Sequence, residues 1–121
     1  MIIGAPMARR GKGRRHSREI FFQVLFEASS RGVDRIQLLG LRAEAAGVLG
    51  EELDYIQQLC QVVCDRMNRM DARIATAAPQ WPVNQLSKID LSILHLAIAE
   101  LTLELTPVAV VIDEAVRLAK L

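Results

Sequence analysis

Residues 85–105 read QLSKIDLSILHLAIAELTLEL. Leu86, Ile89, Leu91, Ile93, Leu94, Leu96, Ile98, Leu101, Leu103 and Leu105 leave almost no polar face. After Asp90 only Ser92, His95, Glu100, Thr102 and Glu104 interrupt the run. A stretch this long, apolar nearly all round and free of Gly and Pro, reads as a helix buried on most sides. It is too short and too often interrupted by charge to span a bilayer. Other helices must cover it, so the remaining chain is expected to supply them. Leu94, Leu96, Ile98 and Leu101 are all candidates for burial, at least three of them nearly complete.

Length and composition agree. The 121 residues suffice for one core. The chain is 51% hydrophobic but only 4% aromatic, so Leu, Ile, Val and Ala must build that core. Net charge is +1, yet residues 9–18, RRGKGRRHSR, hold six Lys/Arg and no acid. Removing those six leaves a body of about −5. A basic end on an acidic body suggests a polyanionic partner at that end. MIIGAP is too short for a signal core and precedes the basic cluster rather than following it. With two cysteines and no secretion signal, the expectation is a reduced, cytoplasmic protein, with either Met1 or Met7 as its start.

Gly4, Pro6, Gly11 and Gly13 make residues 1–16 a flexible basic arm, with the folded domain over 17–121 and Ser17 as the first N-cap. The helix that follows carries Phe21, Val24, Leu25 and Ala28 on one face, widened by Phe22 and Phe26. Phe21 and Leu25 belong in the core; Phe22 or Phe26 could instead stack on a base. A second helix is expected over 34–46, closed by Gly47 and Gly50. From Glu51 to Ala77, Leu53, Ile56, Cys60, Val63, Met67, Met70 and Ile74 recur at steps of three and four, a long amphipathic helix. Pro79 and Pro82 break it, and a short turn over 83–86 precedes the central helix. Thr106 is expected as N-cap and Pro107 as first residue of a last helix over 108–120.

Sites for chemistry are sparse. Cys60 and Cys64 stand one turn apart, but a zinc site needs about four ligands and only His16 and His95 remain as soft candidates. A pair of small core residues is the ordinary reading. His95, within the apolar helix, is expected to be satisfied by a carboxylate such as Glu100 or by a backbone carbonyl. No phosphate loop, nucleophile triad or metal motif occurs, so neither catalysis, a metal nor a cofactor is expected. The basic cluster Arg9, Arg10, Lys12, Arg14, Arg15, His16 and Arg18 is the candidate site.

RRHSREIFFQVLFEA resembles the opening of the NusB family, transcription antitermination factor B, in its arginines, its Arg18-Glu19 pair and its Gln23-Val24-Leu25-Phe26 motif. WPVNQLSKIDLSILHLAIAEL looks like that family's central helix, and PVAVVIDEAVRLAK like its following Val-rich helix. The resemblance covers about residues 14–120. It implies an all-α fold of five to six helices around the central helix at about 88–105. It implies a non-catalytic factor that binds boxA-type single-stranded RNA of ribosomal RNA operons. The implied protein partners are NusE, a small-subunit ribosomal protein, and the RNA polymerase antitermination complex. The family's arginine contact falls on Arg14, Arg15 and Arg18. His16 and His95 replace common arginines, and Asp113 a common asparagine. Two other roles compete: the RNA-binding piece of an RNA cytosine-5 methyltransferase, for whose catalytic domain 121 residues leave no room, and a protein-only interaction module. The family pattern continues beyond the Leu-Ala-Lys motif into another helix, whereas this chain stops at Leu121. Self-association through the 108–120 helix is therefore expected, since an uncovered apolar face favours a second copy.

Overall fold

The structure, a computed structural model, describes the backbone of residues 4–80 and 82–121 and the side chains of residues 14–80 and 82–121. Five helices carry the fold: α1 (Gly4–Arg31), α2 (Arg35–Ala46), α3 (Gly50–Ala77), α4 (Lys88–Leu103) and α5 (Val108–Ala119). A single 3-10 turn, Val83–Gln85, leads into α4. No strand occurs among the described residues, as the Leu- and Ala-rich composition anticipated.

Local chemistry sets most boundaries. Asp34 caps α2 by accepting the Gln37 N–H at 3.0 Å, and Gly47, at φ 70°, ends it. Ser87 caps α4 by accepting the Asp90 N–H at 3.0 Å. The end of α4 is less ordinary. Glu104 adopts φ 57°, a left-handed conformation that costs a non-glycine residue roughly 1–2 kcal/mol. That turn carries Thr106 into the interior.

The core is a seam between α1 and α3, closed by α4. Phe21, Val24 and Leu25 of α1 meet Ile56, Leu59 and Val63 of α3, with Ile93, Leu96 and Ala99 of α4 against both. Leu38, Leu39 and Ala43 of α2 cover one flank, and Leu118 of α5 another.

Three expectations fail here. The first is the Ser17 cap. Ser17 is buried inside α1, which already runs from Gly4. Pro6 sits in the first turn, where its missing N–H costs nothing. Arg14, Arg15 and Arg18 are all anchored to other helices, which fixes the chain on both sides of Ser17. The second is the burial of α4. Leu96 is 2% exposed, but Leu94 is 36% and Leu101 39%, and Ile98 is half-buried. Neighbouring helices cover α4 on the α1, α3 and α5 sides, and its Leu94–Leu101 side faces out. The third is the cap of α5. Pro107 holds the cap position, and Thr106 instead turns inward to Tyr55.

Candidate nucleic-acid interface at the arginine end of the bundle

α1 presents Arg14, Arg15 and Arg18 to the junction where α3, α4 and α5 meet. Arg14 and Arg18, one turn apart, both turn inward. The Arg14 guanidinium carbon lies 4.0 Å from the centroid of the Tyr55 ring, a cation–π contact. Its Nη1 also donates to Leu105 O at 3.4 Å and to Thr106 Oγ1 at 3.5 Å. Both acceptors are delivered by the left-handed turn at Glu104.

Arg18 is wholly enclosed. Its Nε and Nη2 grip both oxygens of Glu100 at 2.8 Å, and its Nη1 donates to Glu114 Oε1 at 2.9 Å. Tyr55 Oη donates to Glu100 Oε1, leaving Thr106 Oγ1, 2.8 Å away, as the donor to Tyr55. Glu114 also accepts from Arg15 Nε at 3.0 Å and, through Oε2, from Arg117 Nε at 2.7 Å. Arg117 Nη1 reaches Glu19 Oε2 at 2.7 Å, and its Nη2 is buried without a partner. A single polar network thus binds α1, α3, α4 and α5.

Its electrostatics follow from burial and pairing in opposition. Burial alone would lower the Arg18 pKa, but the bonds and charge of Glu100 outweigh it and raise it. Burial pushes Glu114 up, and hydrogen bonds from Arg15 and Arg117 pull it further down, for a net lowering. Tyr55 is pushed up to about 12, by burial first and then by its bond to the Glu100 carboxylate.

The predicted RNA-binding residues therefore separate. The Arg18 side chain is 3% exposed and paired with two carboxylates. The bidentate acceptor drew it inside: Glu100 on an apolar helix requires a buried cation. Arg14 is half-buried and stacked. Arg15, bonded to Glu114 through Nε, has a side chain 58% exposed. His16 is exposed next to it. The side chains of Arg9, Arg10 and Lys12 lie outside the described residues. Further along α1, Phe22 is half-buried and Phe26 is 37% exposed, so the outer face of the helix carries a cation followed by aromatic edges.

Elsewhere the ordinary readings hold in modified form. His95 Nε2 donates to Asp71 Oδ1 of α3 at 2.7 Å, so its carboxylate is Asp71 and Glu100 is claimed by Arg18. Cys60 is a buried free thiol, pushed up to about 12 by burial and by Cys64. Among the described residues no group of three or more His, Cys, Asp or Glu side chains could hold a metal, and no helix is long and apolar enough to cross a membrane. The sequence reading missed Tyr55, Glu100, Thr106 and Glu114 as members of the network. The signal was present: an acid on the apolar side of a buried helix needs a partner, and α1 holds the nearest unmatched cations.

The molecule is thus an all-α bundle whose basic first helix is clamped by acids from its last two helices. The chain belongs to the NusB family, whose family model matches residues 15–121. It is 38% identical over 108 residues to the transcription antitermination protein NusB of Dehalococcoides mccartyi strain CBDB1, covering 88% of this chain and 76% of that one. The corresponding protein of Ruminiclostridium cellulolyticum is 33% identical over 109 residues, covering 89% and 75%. Among solved structures, T. maritima NusB superposes with a TM-score of 0.81 at 28% identity, over 88% of this chain and 76% of that one. A chain from a crystal structure of the antitermination factors NusB and NusE in complex with dsRNA matches the fold with a TM-score of 0.79 at 22% identity, over 90% and 82%.

Proposed function

We propose that this protein is an RNA-binding transcription antitermination factor. The observation that carries the reading is the exposed basic end of α1, Arg15 and His16, fixed in place by the buried Arg18–Glu100–Glu114 cluster in a member of the NusB family. A cation held in one position loses less entropy on meeting a phosphate than a free side chain does. Phe22 and Phe26, next along α1, offer edges for an unstacked base. The RNA is boxA-type and single-stranded, and the protein partner is NusE within the RNA polymerase antitermination complex, in the cytoplasm. The role is binding and scaffolding, without a chemical step.

The test is fluorescence anisotropy with boxA-type RNA and a scrambled RNA of equal length across a salt series. The wild type should prefer the boxA-type strand. The Arg15→Ala/His16→Ala pair should weaken binding and flatten its salt dependence, because fewer counterions are released. A wild type that shows no preference for the boxA-type strand overturns the reading.

Self-association forms part of the same proposal. Leu94, Leu101, Leu105, Val108, Ile112 and Val116 are exposed along α4 and α5. A contiguous apolar face of this kind on a monomer favours a second copy. Sedimentation equilibrium should show a dimer at tens of micromolar; a clean monomer that binds no hydrophobic dye would remove self-association from the proposal.

A further inference from the structure

Of the ten arginines with described side chains, seven have a protein partner. Arg15, Arg18, Arg31, Arg42 and Arg117 are paired with carboxylates. Arg14 lies on Tyr55, and Arg35 Nη1 is 4.0 Å from Cys64 Sγ. Arg66, Arg69 and Arg73 of α3 are the exceptions: all three are exposed, and none has an ion pair, hydrogen bond or ring contact among the described residues.

Their spacing places them together. Steps of four residues return to one side of a regular helix, so Arg69 and Arg73 share a side of α3, and Arg66 stands three residues before them. Asp65, one turn before Arg69, accepts instead from Gln61 Nε2 at 2.9 Å. Asp71 lies on the opposite side of α3, engaged with His95. The strip therefore carries three positive charges with no carboxylate bound to them. Tyr55, the ring beneath Arg14, lies earlier on the same helix. A non-helical step at Arg66 (φ −125°, ψ 16°) begins the strip and leaves Arg69 and Arg73 one regular turn apart. Arg73 also borders an apolar cavity of about 460 Å³ lined by Ile74, Ala77, Leu86, Leu94 and Ile98.

We propose that Arg66, Arg69 and Arg73 are a second phosphate-binding strip for RNA. A single strand that starts at Arg15 and His16 runs along α3 and lays its phosphates on the three guanidinia. This rests on the RNA-binding reading above and extends its footprint from one end of the bundle to the other. Unpaired arginines spaced along a helix suit a flexible polyanion, whose charges recur along the strand and need no fixed fork geometry.

The experiment uses two RNAs, a short one that covers only the α1 end and a longer one extended past it. Anisotropy is read over a salt series for the wild type, for Arg66→Ala/Arg69→Ala/Arg73→Ala and for the corresponding triple Lys variant. For the longer RNA, the Ala variant should lower the slope of log affinity against log salt by about 2, at roughly 0.7 per phosphate contact on a single strand. The short RNA should bind it unchanged, and the Lys variant should keep the wild-type slope. A wild type that binds neither RNA defeats the RNA-binding reading itself. A wild type that binds the longer RNA, with an Ala variant of identical slope, overturns only the strip. Loss of polyglutamate binding by the Ala variant with RNA binding intact would also overturn it, by showing a surface for acidic protein.

Discussion

The arginines of α1 and the arginines of α3 are the same residue put to opposite uses. Arg18, 3% exposed, lies between Glu100 and Glu114, and Arg14 is stacked on Tyr55. Arg66, Arg69 and Arg73 stand in solvent with no partner among the described residues. What separates the two groups is the acids that face them. α4 and α5 bring Glu100 and Glu114 to the end of α1, whereas the acids near the α3 strip point away or are already bonded. An arginine's role here is set less by its own position in the sequence than by which carboxylates the packing brings to it.

The largest expected effect falls on the buried side of that comparison. Arg18→Ala leaves Glu100 and Glu114 enclosed without their shared cation, so denaturant melts should show a loss of about 3–5 kcal/mol. Arg69→Ala, on the exposed side, should stay within about 0.5 kcal/mol of wild type. Equal losses at the two positions would erase the distinction between clamp and strip.

A smaller effect comes from titration. The folded-state pKa of Glu114 lies below its ordinary value of 4.5. Its contribution to stability is therefore complete above about 4.5 and is lost as pH falls through the lower, folded-state value. Thermal melts between pH 7 and pH 3 should fall more steeply for wild type than for Glu114→Gln. Parallel curves would show that the arginines do not hold this carboxylate. At the alkaline end the sign reverses. Tyr55, raised to about 12 from 10.0, contributes fully below pH 10 and less as pH climbs from 10 toward 12. Tyr55→Phe should weaken that decline, the smallest of the three effects; an unchanged alkaline limb would place the cause elsewhere.

Much of the architecture was legible before any coordinates. Gly47 closes α2, and the three-four spacing of Leu53, Ile56, Cys60, Val63, Met67, Met70 and Ile74 traces the buried and half-buried side of α3. These signals are local, written within one or two turns. The α4 surface was less legible. The sequence leaves α4 apolar on all sides, and nothing in it tells which side the other helices fail to reach. Leu96 is enclosed and Leu94, two residues earlier, is not, because α1, α3 and α5 cover only part of the circumference.

The candidate site divides along the same line. Composition and motif place a basic cluster at the start of α1, and they assign the chain to the NusB family on residues now matched by the family model. They do not show that the Arg18 side chain is enclosed while that of Arg15 is exposed. Helical type and the wide apolar surface of α4 are fixed by the sequence, because each depends on residues close together along the chain, whereas the caps expected at Ser17 and Thr106 gave way when packing drew both side chains inside. The pairing of Arg18 with Glu100 and Glu114, across 82 and 96 residues, is fixed only by the tertiary structure. So is the freedom of the α3 arginines. A charge is structural or available according to the partners within about 4 Å of it, and those distances exist only once the helices have packed.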